Sequence, residues 1–398
     1  MSLGTDILLT IAGAIILVLV FYDIYSTILR ATKHSGVFST FLNRGLWWIA
    51  TRSTQTLDRR RRHRILSTIG PLLMPLIIAF FILMLLAGFA LIYLPRMETE
   101  FKIDNAAHGN SILQAFYFSG VTFLTIGYGD ILPVSGATRM LALIEGAAGI
   151  AIISLSITYL LTVYRALERK RTVALKFYHQ ARQGADISGF ISSHFARGRF
   201  HSLTESLREA TRDLQELLES HLEHPVIHYF HPPEVYKGLP RALFVVFETV
   251  AILNSHLDEK EYVEAGDHPD VLIAGDNVRY VLAELITSLD LQTGATESFE
   301  SDAETLRRRR KSFNRAMKNL KNKEIKTRAD IERAFLEYSE DRANWERQLF
   351  HFADFLGYDW NEVTGDRDLE DATDDEVTER HEPLTTDKEA TAQDSRQP

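Results

Sequence analysis

The chain has 398 residues, a formal net charge of −9, 45% hydrophobic residues and no cysteine, so a disulfide framework and thiolate chemistry are both excluded. These averages join two unlike halves: residues 1–165 are mostly apolar with long runs nearly free of charge, whereas residues 166–398 are charged and read as soluble. The acidic balance sits largely at the far C-terminus, and no nucleic-acid partner is expected.

In chain order, residues 1–30 form an extra N-terminal span, whose apolar run Ile7–Leu29 is long enough to cross a hydrocarbon core of about 30 Å. Its start lacks Lys and Arg and its core is too long for a cleaved signal peptide, so it reads as retained. Asp23, near the inner end, reads as an interfacial carboxylate hydrogen-bonded to a neighbour. Residues 31–70 are a basic connector, in which Phe38, Leu42, Leu46, Trp47 and Trp48 predict an amphipathic interfacial helix. The run Arg59–Arg64 has consecutive charges in a polar setting, unlike the every-third spacing of a voltage sensor. It reads as a cytoplasmic topology signal in contact with anionic lipid headgroups. A second span, Leu72–Leu94, runs outward, with Pro71 and Pro75 near its start, where helices tolerate proline best. Residues 95–110 are polar and external, and residues 111–124 are an apolar helix too short to cross, which re-enters the membrane. Met140–Val163 runs inward as the third span and ends at the basic Arg165, Arg169, Lys170 and Arg171. Basic flanks and an odd number of spans agree on an N-terminus outside and a cytoplasmic C-terminus at the cell (inner) membrane.

After the short helix comes Thr122-Phe-Leu-Thr125-Ile126-Gly127-Tyr128-Gly129-Asp130. An ion shedding its water shell needs replacement oxygens, and a strand with all carbonyls on one side supplies them. That backbone demands angles that ordinary L-residues resist and glycine accepts. Ile126 and Tyr128 then point away from the ion, Thr125 adds a hydroxyl as the innermost ligand, and Asp130 favours cations at the outer mouth. The pentapeptide Thr125–Gly129 resembles the potassium-channel selectivity-filter signature, with Ile in place of the commoner Val. The resemblance is to two-span pore units of bacterial potassium channels and covers about residues 71–165 (span, pore helix, filter, inner helix). It implies K+ as the transported ion, no cofactor and no enzymatic activity. Non-helical backbone at membrane depth must be buried in protein or line water; four copies satisfy that and one does not. With a single filter motif, the pore is expected to be a homotetramer.

Thr122 belongs to the pore helix behind the filter. Gly149 stands at the interval where the inner helix of such channels carries its gating-hinge glycine, so the resemblance implies a bend there. With Gly146 it also permits close packing on the pore helix, and the two roles are compatible. Glu145 is an ionisable group inside a span and is expected to hydrogen-bond the pore helix, at Thr122. Ser154, Ser156 and Thr158 are placed along the cavity. The chain departs from the family in three ways. Tyr117-Phe118 replaces a Trp pair, so a Trp bonding the filter's Asp is missing; Val121 stands where some relatives place a carboxylate; and a span precedes the unit.

Residues 166–362 lack a Gly-x-Gly-x-x-Gly motif and have few alternating apolar stretches, which argues for a helical cytosolic domain over a Rossmann or β-rich sensor. Leu203, Leu207, Ala210, Leu214 and Leu217 form one helical stripe. Ile331, Phe335, Tyr338, Trp345, Leu349, Phe352 and Leu356 form a second, interrupted by Arg342. His221, His224, His228 and His231, with Glu223, are candidates for binding a divalent metal or sensing pH, against capping and packing of a helix corner at Pro225. The basic run from Arg307 reads as a solvated helix pairing with acidic neighbours. Residues 363–398 read as a disordered acidic tail. The expected fold is therefore an all-α membrane protein, a potassium-channel pore-loop fold plus a helical cytosolic domain. Its expected function is K+ conduction gated at the inner helix by an unknown stimulus; the alternative is a membrane-anchored sensor or assembly protein with a vestigial pore.

Overall fold

The computed structural model describes residues 3–30, 36–104, 110–180, 187–262, 265, 268–291 and 302–366. Among the described residues three helices are long and apolar enough to cross a membrane, spanning Gly4–Leu29, Arg59–Arg96 and Gly136–His179. The only sheets among the described residues are two short two-stranded ones, so the chain is an all-α membrane protein. Its contacts form two compact units: residues 1–49, 69–167 and 220–229, and residues 50–68, 168–219 and 230–398.

In the first unit, helix α1 (Leu3–Ile24) continues as a π-helical turn to Leu29. It packs on the outer helix α3 (Arg59–Tyr93) of the same chain through glycines: a Cβ on Gly13 would lie 2.5 Å from the Gly88 carbonyl oxygen. Arg96 adds a hydrogen bond from its Nη1 to Thr10 Oγ1 at 3.2 Å. Asp23 is 2% exposed and its carboxylate accepts from the backbone N–H of Phe38 and Ser39, both at 3.2 Å, so it caps the start of α2 (Val37–Thr54). On α2, Trp47 is buried and Trp48 is exposed, the amphipathic split expected there.

The basic run is the beginning of α3 and not a separate connector. Pro71 and Pro75 therefore lie well inside the helix, not at its start. Arg and Leu are strong helix formers, and they extend the helix backward past the first residue of the apolar run. The inner helix α5 (Gly136–Gln180) likewise runs on beyond Val163. Strands β1 (Phe101–Ile103) and β2 (Ile131–Pro133) pair antiparallel with Lys102 opposite Leu132, and so fasten the two ends of the loop that carries the short helix α4 (Ser111–Phe123). Beneath them Tyr93, Phe101 and Phe118 meet edge to face, with ring centroids 4.9–5.6 Å apart.

The second unit contains α6 (Ile187–Ser193), a short hairpin, most of α7 (Leu203–Glu223), α8 (Leu239–His256), α9 (Pro269–Ser288), α10 (Asp302–Asn322), α11 (Ile331–Ala343), α12 (Glu346–Phe355) and α13 (Trp360–Thr364). Helix α8 is buried almost throughout and is the hub on which α6, α9, α11, α12 and α13 pack. The second apolar stripe is two helices and not one: the chain breaks at Asn344-Trp345, where Trp345 leaves helical angles at φ −134. Arg342, which seemed to interrupt the stripe, is 2% exposed, and its Nη2 donates to Glu346 Oε1 at 2.5 Å while Nη1 lies 3.5 Å from Glu248. Residues 363–366, expected to be disordered, are ordered: Val363 is buried, Gly365 caps α13 in the left-handed region, and Arg315 pairs with Asp366 at 2.5 Å. Residues 367–398 lie outside the described residues. Basic helix α10 buries Phe313 and Leu320 and pairs Arg309 with Glu346 and Arg310 with Glu332, each at 2.6 Å, as its charge pattern indicated.

Candidate functional site

Helix α4 begins with Asn110, whose side chain accepts from the N–H of Ile112 at 2.9 Å. At 1.5 Å per residue it covers about 20 Å, well short of the hydrocarbon core. Its end is tightened by Thr125 N–H to the Thr122 carbonyl at 3.0 Å and Ile126 N–H to the Val121 carbonyl at 2.9 Å. From there the backbone alternates. Thr125, Gly127 and Gly129 have φ of 55°, 65° and 82°, while Ile126 and Tyr128 stay outside the positive-φ set. Two of the three left-handed positions carry the residue that accepts them without a Cβ penalty, and the third is a β-branched threonine held there against its preference. Alternating handedness turns successive carbonyls toward one side of the chain, the arrangement that the glycine spacing predicts. In the single chain this stretch is uncovered: Ile126 is 48% and Tyr128 69% exposed.

The outer end is tied to the pore helix. Tyr117 donates its hydroxyl to Asp130 Oδ2 at 2.8 Å, and Asp104 N–H donates to the Asp130 carbonyl at 2.9 Å. The tie to Asp130 that the absent Trp left open is therefore made by Tyr117. A phenol on the same face reaches the same carboxylate, which a motif comparison by residue type misses.

Glu145 on α5 is fully buried, 0% exposed. Its Oε1 accepts from Ser119 Oγ at 2.5 Å and its Oε2 from the Tyr93 hydroxyl at 2.8 Å. The pore-helix partner is thus Ser119 and not Thr122. Residues 119 and 122 share a helix face, and the side chain that the Tyr93 contact fixes in place meets the nearer of the two turns. One carboxylate so joins the outer, pore and inner helices. One turn further along α5, a Cβ on Gly149 would lie 2.0 Å from the Phe123 carbonyl oxygen; at Gly146 the nearest atom, the Thr122 carbonyl oxygen, is 3.6 Å away. Close packing is therefore required at Gly149 and merely permitted at Gly146, and α5 is helical through both. Farther along, Ser154, Thr158 and Thr162 form an exposed file with each hydroxyl bonded to a carbonyl four residues back, at 2.9–3.1 Å. Ser156 is buried on a different face and does not share that file.

The four candidate histidines do not assemble as a metal site; among the described residues no group of three or more His, Asp or Glu is placed to hold a metal ion. His221 and His228 pack ring to ring at 4.8 Å, and His224 meets Tyr159 edge-on at 5.8 Å. His231, 5% exposed, instead hydrogen-bonds His63. His63 is 2% exposed and sits in the Arg run that reads from sequence as a topology signal and a lipid-headgroup contact. It also contacts Glu362, to which Arg59 is paired. Burial pushes Glu362 up, but the hydrogen bonds and positive charge of His63 and Arg59 outweigh it and bring its pKa to about 2. The run thus divides. Arg59 and His63 turn inward, and Arg60, Arg61 and Arg64 keep the exposure that lipid contact requires.

Residues 77–166 match the family model described as Ion channel. The chain is 28% identical to an uncharacterized membrane protein, YdjJ, of Bacillus subtilis (strain 168) over 254 residues, 63% of this chain and 71% of that one. Over 41 residues it is 46% identical to two-pore potassium channel 4 of Arabidopsis thaliana, 10% of this chain and 14% of that protein. No solved structure matches the chain significantly. Residues 77–166 are thus similar to ion channels, and the match overlaps two of the helices long and apolar enough to cross a membrane.

Proposed function

We propose that this protein is a K+-selective channel in which four copies of the chain surround one conduction path. The observation that carries this reading is the left-handed alternation at Thr125, Gly127 and Gly129, which aims a column of carbonyls at one line. Thr125–Gly129 replace the water shell of K+, and Asp130, held by Tyr117, attracts cations at the mouth. The exposed Ile126 and Tyr128 support tetramer formation, because neighbouring chains supply the cover that a re-entrant loop needs in lipid. The C-terminal end of α4 points its partial negative charge at the cavity, and the hydroxyl file of Ser154, Thr158 and Thr162 lines the path below. The inner helix moves as the gate, with Gly149 at its contact to the pore helix. The N-terminus lies outside, the second unit is cytoplasmic, and Arg60, Arg61 and Arg64 meet anionic headgroups. K+ moves down its electrochemical gradient and no bond is made. The similarity to a protein named as a potassium channel supports the choice of ion.

The test is K+ flux into liposomes holding purified protein, with Na+ as competitor, for wild type and Gly127→Asp. K+ preference abolished by the substitution is the expected result. Equal K+ and Na+ flux in the wild type refutes selectivity, and no flux at any pH, lipid composition or membrane tension favours an anchored sensor with a vestigial pore.

A further inference from the structure

Helix α10 turns its apolar side chains inward and leaves one face to solvent. On that face Arg307, Lys311, Asn314, Lys318 and Lys321 follow one another at steps of four and three residues, and all five are exposed. Such steps return to the same side of a helix, so the five form one stripe. The cations at its edges are matched, Arg310 with Glu332 at 2.6 Å and Arg315 with Asp366 at 2.5 Å. Among the described residues no ion pair or hydrogen bond reaches the side chains of Arg307, Lys318 or Lys321. The exposed acids beside the stripe, Glu304 in the first turn of α10 and Glu324 just past its last, lie at its two ends. Arg307 with Lys311, and Lys318 with Lys321, are like charges at the spacings that weaken a helix unless opposite charge covers them.

The described chain ends at this helix. Gly365 turns the backbone out of α13 in the left-handed region, and Asp366 comes to rest with its carboxylate on Arg315. Burial raises the pKa of Asp366, but Arg315, the Thr364 hydroxyl and the positive charge of Lys311 outweigh it and hold the carboxyl below its usual value. Asp366 is therefore a carboxylate already set against the basic face, and the chain continues from there. After Arg367, residues 368–382 carry eight acidic side chains and one arginine, Arg380. From Arg315 the stripe extends about 12 Å to Arg307 and about 9 Å to Lys321 at the helical rise. Extended chain covers about 3.3 Å per residue, so about four residues reach either end. Asp368, Glu370 and Asp371 fall within that distance, and Asp374, Asp375 and Glu376 follow directly.

We propose that the acidic segment 368–382 of this chain docks on the stripe from Arg307 to Lys321 of α10, and that the contact weakens as ionic strength rises. A single exposed ion pair contributes little, so the contact is collective, with several carboxylates sharing several cations. Attachment at Asp366 keeps the segment at an effective concentration in the millimolar range beside its site. Salt acts on all the pairs together, because the Debye length shortens from about 10 Å at about 0.1 M to about 3 Å at about 1 M. The contact thus registers the salt around the second unit, whatever the first unit conducts. Lipid headgroups and the same segment of another copy offer like charge, but the segment that leaves from Arg315 needs no second molecule.

The experiment uses full-length protein, co-assembled from isotope-labelled and unlabelled chains, in nanodiscs of neutral lipid. A carbodiimide joins a lysine amine to a carboxylate in contact with it, and mass spectrometry maps the products. Yields are taken relative to Lys176 with Asp213, a pair the fold holds at 2.8 Å. Cross-links of Lys311, Lys318 and Lys321 to residues 368–382 of the same chain are expected, falling about tenfold between about 0.1 M and about 1 M salt. Asp371→Asn, Asp374→Asn, Asp375→Asn and Glu376→Gln together are expected to cut severalfold the cross-links of the untouched Asp368 and Glu370, which share the collective attraction. Yields that salt and neutralisation leave unchanged show chance collision of a tethered segment and overturn the proposal, as does the lack of any cross-link. Cross-links that join only different copies make a second copy the occupant, and cross-links lost when about a third of the lipid is anionic make headgroups the occupant; either overturns docking within the chain.

Discussion

Gly146 and Gly149 are neighbours on the inner helix with opposite surroundings, and alanine at each should separate them. At Gly149 the new Cβ would lie 2.0 Å from the Phe123 carbonyl oxygen and 2.9 Å from its carbonyl carbon. The obstacle is backbone, which cannot rotate away, so α5 and α4 must separate by about 1.4 Å or more for ordinary contact. Overpacking of this kind costs typically about 1–3 kcal/mol. Separation also stretches the Ser119–Glu145 bond one turn away, so the upper end of that range is expected. At Gly146 the nearest neighbour is 3.6 Å away, ordinary contact, and alanine recovers up to about 1 kcal/mol of helix propensity. The assay is thermal unfolding of the purified protein in detergent, with liposome flux in parallel. Gly149→Ala should lower the midpoint by several degrees and reduce flux, while Gly146→Ala should hold or raise the midpoint and conserve flux. Equal effects, or a stable Gly149→Ala protein, would refute the packing argument.

Replacing Glu145 by Leu strands the buried Tyr93 hydroxyl, at about 1–3 kcal/mol, and leaves Ser119 only its 3.2 Å bond to the Leu86 carbonyl, while Gln keeps an acceptor. Leu should therefore lower both the unfolding midpoint and the K+ over Na+ flux ratio more than Gln does. Tyr117→Phe removes the tie to Asp130 and should speed the decline of K+ current during sustained conduction, leaving the ion preference of the initial current intact. Glu362→Gln tests the depressed carboxylate. Lowering its pKa from 4.5 to about 2 is worth about 3 kcal/mol of stability, present in full above about pH 5 and lost as pH falls toward 2. The gap in unfolding free energy between wild type and Glu362→Gln should follow that curve; a gap of the same size at pH 3 and pH 7 would contradict it.

The parts legible in the sequence were those set by local chemistry. The turn after α4 was readable because left-handed backbone calls for glycine, and Gly127 and Gly129 sit where it occurs. The spans were readable because lipid demands continuous apolar runs. Geometry between distant residues was not readable. His63 touches His231 and Glu362 across 168 and 299 residues of chain, and nothing in the composition of an Arg run marks one member as inward-facing. Glu145 stood out as an ionisable group within an apolar run, yet the choice of Ser119 over Thr122 depends on the rotation of two packed helices. Arg342 looked like a flaw in an apolar stripe because the acidic partners that neutralise it, Glu248 and Glu346, come from a second helix and from past the break at Trp345. The tail boundary was placed early because Thr364, Gly365 and Asp366 are polar, although they close a helix and receive Arg315.

The two prolines inside α3 give that helix a mechanical character. Proline has no N–H, so the carbonyls of Ser67 and Pro71, each four residues earlier, lose the bond that would have stiffened the rod there. Both missing rungs fall just after Thr68, the last α3 residue grouped with the second unit. A helix bends where its ladder is incomplete. Helix α3 is thus stiff through Arg59–Arg64 and stiff again along its apolar run, with a compliant neck between them where bending is taken up.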